Sequence, residues 1–148
     1  MDRDPAVQDL LDRQAITDTL YRYASTIDRK DYEGLRTLFS DDATARYGKR
    51  NWIVGGDRIV EWIADHGRQQ AWQHHLLSVY HVDIDGDTAS ALTYHTSHQV
   101  ADGQPDTVAL IVARYHDELR REGNTWKIVR KDMEVGWRGT QHAVQPGR

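Results

Sequence analysis

The first part of the chain carries apolar residues at a helical period. Between residues 7 and 29 they mostly recur three or four positions apart, which is the stripe of an amphipathic helix. Pro5 stands near the predicted start, where its missing N–H costs nothing. Two shorter helices are predicted at residues 31–39, with Asp31 as N-cap, and at 57–65. The stripe of the first helix consists of Val7, Leu10, Leu11, Ile16, Leu20, Tyr23, Ala24 and Ile27.

The pattern changes beyond Gly67, where the sequence becomes rich in Val, Ile, Thr, Tyr and Trp. Turn signals at 85–86, 102–103 and 123–124 divide residues 72–138 into four strands joined by hairpins. Residues 44–54 add one or two short strands between the helices. Helices followed by an antiparallel sheet predict an α+β fold, in which a curved sheet is closed on one face by helices. The space between the layers is the default ligand site.

Side chains of the strand at 72–85 alternate between the two faces of the sheet. The even positions form the more apolar set, so we expect them to face the helices. His74 would then point inward, while His75 and His81 would point outward. A bulge would invert part of this pattern. The even positions are Trp72, His74, Leu76, Ser78, Tyr80, Val82 and Ile84.

The first helix offers an acidic partner for His74. Asp28 ends that helix at the inner edge of its apolar stripe, where the helix dipole disfavours a carboxylate. An imidazole N–H from the facing sheet would compensate and would leave the other ring nitrogen free to take a proton. Two structural alternatives stay open: Asp28 caps the turn that follows, and His74 is a hydrogen-bonded core residue.

Composition is that of one globular domain. The 148 residues are 39% hydrophobic and 28% charged, and we expect a single domain over 1–148, with a core at 7–138 and a short flexible tail at 139–148. Five Trp and seven Tyr accompany one Phe, and rings with a polar handle suit the wall of a cavity that binds a flat organic molecule. The alternative is amphipathic packing at the edges of the core.

Charge and residue usage exclude several functional classes. A net charge of -4 with interspersed signs argues against nucleic acid as a partner. No apolar run is long enough for a membrane span, and the acidic, polar start is unlike a signal peptide. The absence of cysteine removes disulfides and thiolate metal sites and is compatible with the cytoplasm, which we expect as the location.

Three segments carry a resemblance to a known family. Residues 23–39 (YASTIDRKDYEGLRTLF), 73–78 (QHHLLS) and 82–89 (VDIDGDTA) resemble the opening, the His-bearing strand and the following hairpin of SnoaL-like proteins. Residues 114–115 and 126–128 look like the last two strands of that family. SnoaL-like proteins belong to the nuclear transport factor 2-like superfamily, so the resemblance implies a cone-shaped half-barrel wrapped around three N-terminal helices.

Within the superfamily the chain is most similar to scytalone dehydratase and the bile-acid 7α-dehydratases. The resemblance implies an Asp28–His74 catalytic pair, with Tyr47 polarising the substrate carbonyl. It also places Tyr23 in the cavity and, with a gap in the alignment, His98. Tyr94 is a further candidate for the opposite wall. Ile27 departs from scytalone dehydratase, which has a tyrosine directly before its Asp, so scytalone itself is not the expected substrate.

Other catalytic layouts find no support. The sequence lacks the GxxxxGK[ST], GxGxxG, GxSxG and HExxH motifs, so we expect neither a phosphate-binding loop nor a serine hydrolase nor a metal or other cofactor. Arg130 and Lys131 are expected at a solvated edge of the sheet, although Arg130 shares strand parity with Trp126 and Ile128 and could reach an anionic substrate group.

The sequence therefore predicts a cofactor-free lyase, specifically a dehydratase of a small polycyclic, aromatic or steroid-like hydroxy-carbonyl compound. The alternatives are an isomerase or polyketide cyclase that uses the same pair, a non-catalytic ligand-binding domain, or the small subunit of a ring-hydroxylating oxygenase. We also expect a homodimer or homotrimer that pairs through the outer face of the sheet. By parity that face would present Leu77, Val79, Val129, Met133, Val135 and Trp137.

Overall fold

The computed structural model describes residues 3–143, which form three helices and one six-stranded sheet. The helices are α1 (Pro5–Asp28), α2 (Tyr32–Arg36) and α3 (Gly56–Gly67). The strands are β1 (Phe39–Tyr47), β2 (Ile53–Val54), β3 (Gln70–Asp85), β4 (Thr88–Ala101), β5 (Thr107–Glu122) and β6 (Thr125–His142). The predicted α+β fold is confirmed: helices cover one face of a curved, unclosed, mostly antiparallel sheet.

The sheet has the strand order β2-β1-β6-β5-β4-β3. The hairpins β3–β4, β4–β5 and β5–β6 form the predicted antiparallel meander. The exception is β1, which runs parallel to the distant strand β6. The strand β6 continues to His142, so residues 139–142, which we expected in a flexible tail, are strand. The rest of that tail, 144–148, lies outside the described residues.

The helix ends follow the local sequence signals. Asp4 caps α1 through its side chain, and Pro5 occupies the first turn. Asp31 caps α2 by accepting the backbone N–H of Gly34 at 2.9 Å, as predicted. Over residues 3–143, no helix is long and apolar enough to cross a membrane. The inner stripe of α1 packs on the sheet and buries Ile16, Leu20, Tyr23 and Ile27.

Two bulges decide which side chains face the helices. The register of β3 against β4 shifts between Val79 and His81, so the inner face changes parity at Tyr80. Before the bulge Gln73, His75, Leu77 and Val79 face inward, and after it Val82 and Ile84 do. The expected parity is therefore wrong for residues 72–80 and right for 82 and 84.

A second shift, between Glu118 and Leu119 on β5, places Val129 in a bulge of β6. Beyond it Lys131 and Met133 are buried, and Val135 packs against the core. Leu77, Val79, Met133 and Val135 thus do not form the expected outer row. The exposed large apolar side chains of β3 to β6 are instead Trp72, Leu76, Tyr80, Tyr94, Val112 and Trp137, which we call the outer apolar face.

Candidate active site

The end of α1 is joined to β3 by two inward residues of the strand. Gln73 donates its side-chain amide to the carbonyl of Ile27 at 2.9 Å. His75 places its ring Nδ1 2.6 Å from Oδ1 of Asp28, and its backbone N–H donates to Oδ2 of the same carboxylate at 3.0 Å. The unfavourable position of Asp28 at a helix C-terminus is thereby compensated by two donors. The predicted acidic partner is in place, but it contacts His75.

His74 lies on the opposite face of the sheet, which corrects the expected pairing. Its side chain is exposed and stacks against His98, with ring centroids 6.0 Å apart. His98 faces the same way, since inner positions on β4 are Thr93, His95 and Ser97. Tyr94 is also outside, 39% exposed and stacked on Tyr80. The side chains of His74, His98 and Tyr94 therefore do not contribute to the space between the layers.

His75 belongs to a cavity of about 190 Å³ between the helices and the sheet. Tyr23 and Tyr47 line this cavity, as the resemblance implies, and their hydroxyls are 2.9 Å apart. Trp62 of α3 stacks on Tyr47 with ring centroids 4.6 Å apart. Tyr115 of β5 forms another part of the wall and meets Tyr23 edge to face. Four of the chain's hydrogen-bonding aromatic rings thus surround one small space.

Burial decides the protonation of the tyrosines. Desolvation raises the pKa of Tyr23 well above its ordinary value, and the neighbouring tyrosines raise it further. Burial likewise raises the pKa of Tyr47, although the hydrogen bond from Tyr23 opposes this effect. Both phenols therefore stay protonated at neutral pH and can donate hydrogen bonds. They cannot serve as bases there.

A second cavity histidine, His95, was missed as a site residue. It is 3% exposed and stacks on His75 at 5.3 Å and on Tyr115 at 4.8 Å. Burial, with the nearby charges of His75 and Lys131, lowers the pKa of His95 to about 3, so its ring is neutral. Neither ring nitrogen, nor the buried hydroxyl of Ser97 beside it, has a hydrogen-bond partner among the described residues. Strand parity with Ala89 and Ala91 was the signal for this position.

A buried ion pair lies against the rings of Tyr23 and Tyr115. Lys131 Nζ lies 2.9 Å from Oδ2 of Asp117, and both side chains are at most 1% exposed. The same ammonium lies 4.1 Å from the ring centroid of Tyr23 and 4.0 Å from that of Tyr115. Lys131 shares odd parity with the expected outer row, which predicts the outer face of the sheet; the bulge at Val129 instead turns its side chain inward.

The same bulge moves Arg130 to the outside. Its guanidinium covers the ring of Trp52 at 4.6 Å and lies 3.9 Å from Glu118. Arg130 is therefore exposed, as expected for a solvated edge, and does not line the cavity. Within residues 3–143, no group of three or more His, Cys, Asp or Glu side chains is arranged to hold a metal ion.

Comparison with known proteins identifies the family of this chain. A family model for the SnoaL-like domain matches residues 8–132. The chain belongs to this family. A Mycobacterium tuberculosis protein of uncharacterized function is 28% identical to it over 127 residues, which cover 85% of this chain and 86% of the relative.

Solved structures of the same shape carry several functional names. A provisionally assigned scytalone dehydratase from Novosphingobium aromaticivorans has a TM-score of 0.84 at 17% identity and covers 95% of each chain. The hexachlorocyclohexane dehydrochlorinase LinA-type3 from Novosphingobium barchaimii has a TM-score of 0.83 at 17% identity, with 95% and 99% covered. A provisionally assigned aromatic ring hydroxylase from Novosphingobium aromaticivorans has a TM-score of 0.81 at 26% identity, with 89% and 94% covered. Proteins of this fold therefore include enzymes named for elimination reactions.

Proposed function

We propose that this SnoaL-like protein is a lyase that eliminates water from a small hydroxy-carbonyl compound without a cofactor. The observation that carries the proposal is the bond between Asp28 and His75 at the wall of an aromatic cavity. A cavity of about 190 Å³ is smaller than the roughly 300–1,000 Å³ that drug-sized ligands occupy. A one- or two-ring substrate fits this volume better than a steroid.

Each step uses a group that the cavity provides. The carboxylate of Asp28 holds the proton of His75 on Nδ1, so Nε2 is free to remove a proton from the carbon next to the substrate carbonyl. Asp28 then stabilises the imidazolium. The hydroxyl of Tyr47, which accepts the hydrogen bond of Tyr23, donates its own proton to the enolate oxygen that develops. The enolate expels the neighbouring hydroxyl group, which takes the proton from Nε2 and leaves as water, and a carbon–carbon double bond forms.

His95 has a different role in this proposal. Because its ring is neutral and its nitrogens have no hydrogen-bond partner within residues 3–143, it is suited to hydrogen-bond a polar group of the substrate without exchanging a proton. The two stacked histidines thus have different roles: His75 is the base, and His95 is a neutral group that binds the substrate.

The experiment compares two adjacent histidines on opposite faces of β3. A panel of one- and two-ring hydroxy-ketones is screened for the ultraviolet change of dehydration with the wild-type chain, His75→Gln and the control His74→Gln. We expect His75→Gln to lower kcat by about 10²–10⁴-fold and His74→Gln to retain wild-type turnover. Equal turnover in the wild type and His75→Gln would contradict the proposed mechanism.

Two further functions are compatible with the family. An isomerase or cyclase would use the same pair but keep the oxygen, so product mass distinguishes it from a dehydratase, which loses one water. The relative named as an aromatic ring hydroxylase favours a second candidate, an accessory subunit of an oxygenase. That function does not require a histidine hydrogen-bonded to a carboxylate beside a cavity, and turnover by the purified chain alone would exclude it.

A further inference from the structure

Two arginines lie at the cavity, in different parts of the sequence. Arg50 stands in the segment between β1 and β2, and Arg138 stands near the end of β6. The guanidinium of Arg50 is 5.8 Å from the ring centroid of Trp62. Both arginine side chains are exposed, so they form the rim, while His75 and the tyrosines form the interior.

The guanidinium of Arg138 lies next to Gly48, in the turn that follows β1. A Cβ built on Gly48 would lie 3.4 Å from Nη2 of Arg138, which is van der Waals contact. Gly48 has a φ of +73°, a conformation that side chains other than glycine rarely adopt. The turn after β1 thus brings the backbone up to this guanidinium.

Neither rim arginine is neutralised within residues 3–143. No carboxylate oxygen of the described residues lies within 4.0 Å of Arg50 or Arg138. Most of the other described arginines do have such a partner, as Arg46 has in Asp132 at 2.7 Å. Among the described arginines, six have no such partner, and two of these six, Arg50 and Arg138, lie at the mouth of the cavity.

The described wall of the cavity contains no acidic side chain at all. Its polar members are tyrosines, glutamines, histidines and Ser97, beside the two arginines. Two carboxylates of the described residues lie behind this wall, and both are compensated: the oxygens of Asp28 accept N–H groups of His75, and Asp117 is paired with Lys131. A negatively charged ligand would meet positive charge at the rim and no like charge inside.

We infer that the substrate carries a carboxylate, which Arg50 and Arg138 bind at the rim while the reacting carbon lies at His75. A planar carboxylate matches the fork of a guanidinium, which can donate two parallel hydrogen bonds. The inference rests on the proposed function only for the reacting end, because the anion site is defined by the arginines alone. It narrows the substrate class to small hydroxy-oxo acids or aromatic acids.

The test is a binding titration that needs no turnover. Isothermal calorimetry at low ionic strength measures the Kd of 2-naphthoate and of the neutral 2-naphthamide, which has nearly the same shape. We expect the amide to bind about tenfold more weakly or worse. Arg50→Gln and Arg138→Gln should each weaken naphthoate by about three- to tenfold and the double variant by more. Arg58→Gln, an exposed arginine on α3, should leave the Kd unchanged.

Salt supplies an independent readout. Naphthoate affinity of the wild type should fall as ionic strength rises, and that dependence should be smaller in the double variant. Equal Kd values for naphthoate and naphthamide, or an unchanged Kd in the double variant, would overturn the inference. Those results would leave the proposed function standing if His75 still proves essential for dehydration of neutral substrates. Conversely, a protein without lyase activity that still binds naphthoate through both arginines would retain the anion site.

Discussion

Asp28 holds His75 at two points, through the ring Nδ1 at 2.6 Å and the backbone N–H at 3.0 Å. The two oxygens of one carboxylate therefore fix both the position of the strand and the orientation of the imidazole. With Asp28 ionised, the ring proton resides on Nδ1 and Nε2 is an acceptor. A single residue at the end of α1 thus determines the chemistry that His75 can perform.

Asp28→Asn is expected to abolish most turnover while the fold is kept. The amide oxygen can still accept the backbone N–H of His75, but the amide NH₂ then faces Nδ1 and moves the ring proton to Nε2. The base would be in the wrong tautomer, and kcat should fall by about 10²-fold or more. Steady-state kinetics on a substrate that the wild type dehydrates measure this loss. Asp18→Asn, on an exposed position of α1, is the matched control and should keep wild-type kcat.

Tyr47→Phe is expected to lower kcat more than it changes KM. The variant removes one hydroxyl of the Tyr23–Tyr47 pair, which are 2.9 Å apart, and the enolate oxygen loses a donor that matters chiefly in the transition state. The free energy of unfolding should fall by only about 1 kcal/mol, because Tyr23 loses one partner. Tyr21→Phe, at a 44% exposed position on α1, is the control and should change none of these quantities. A Tyr47→Phe enzyme with wild-type kcat would remove the phenol from the mechanism.

The helices, the hairpins and the fold class could be predicted from local signals. Caps such as Asp31, the apolar stripe of α1 and the Asp-Gly turns each act within a few residues, so the sequence around them is sufficient. The pairing of β1 with β6 depends on residues more than 80 positions apart, such as Arg46 and Asp132, and no local pattern encodes it. Asp28 was identified because a carboxylate at a helix C-terminus is locally unfavourable.

The choice of histidine failed for a physical reason. The parity argument assumes that the apolar face of a strand is the buried face. Here the outer face of β3 is itself apolar, since Trp72, Leu76 and Tyr80 are 56%, 62% and 55% exposed. Because of the bulge at Tyr80, the outer residues before it and the inner residues Val82 and Ile84 after it all occupy even positions. The sequence therefore shows one continuous apolar alternation, although the two parts face opposite sides of the sheet. No glycine or proline marks the bulge, so the sequence offered no warning.

Acid should destabilise the protein through His95. Its pKa is about 3 in the folded chain against 6.5 as the ordinary value, so between these pH values the unfolded chain binds a proton that the folded chain excludes. The free energy of unfolding should therefore be independent of this group above pH 6.5. It should fall by about 1.4 kcal/mol per pH unit as the pH drops from 6.5 toward 3.

Urea unfolding of wild type and His95→Phe between pH 4 and 7.5 measures this effect. Subtraction of the two curves cancels groups common to both proteins, including Asp117, whose pKa burial raises and which acts in the opposite direction. Parallel curves would show that His95 is protonated as readily in the folded chain as in the unfolded one.

The buried Lys131–Asp117 pair should be strongly coupled in stability. Lys131→Met leaves the Asp117 carboxylate buried without its cation, which typically costs about 3–5 kcal/mol. Replacing both, as Lys131→Met with Asp117→Leu, should recover much of that loss because no charge then remains buried. Urea denaturation of the four proteins of this cycle gives the coupling energy. The exposed pair Arg68–Asp65, each 63% exposed, is the control and should be worth less than about 1 kcal/mol. Additive effects at Lys131 and Asp117 would contradict the expectation.

The outer apolar face should mediate self-association. Leu76, Tyr94 and Val112 meet around one hollow on the outside of the sheet, and a lone chain that exposes such a patch would be unusual. Light scattering at micromolar concentration should therefore give the mass of a dimer or trimer, not the 17.1 kDa of one chain. Leu76→Glu places a charge in the hollow and should shift the mass to that of the single chain. Leu10→Glu, at a 67% exposed position on α1, should leave the assembly intact. A wild-type mass of 17.1 kDa would show that the outer apolar face needs no second copy.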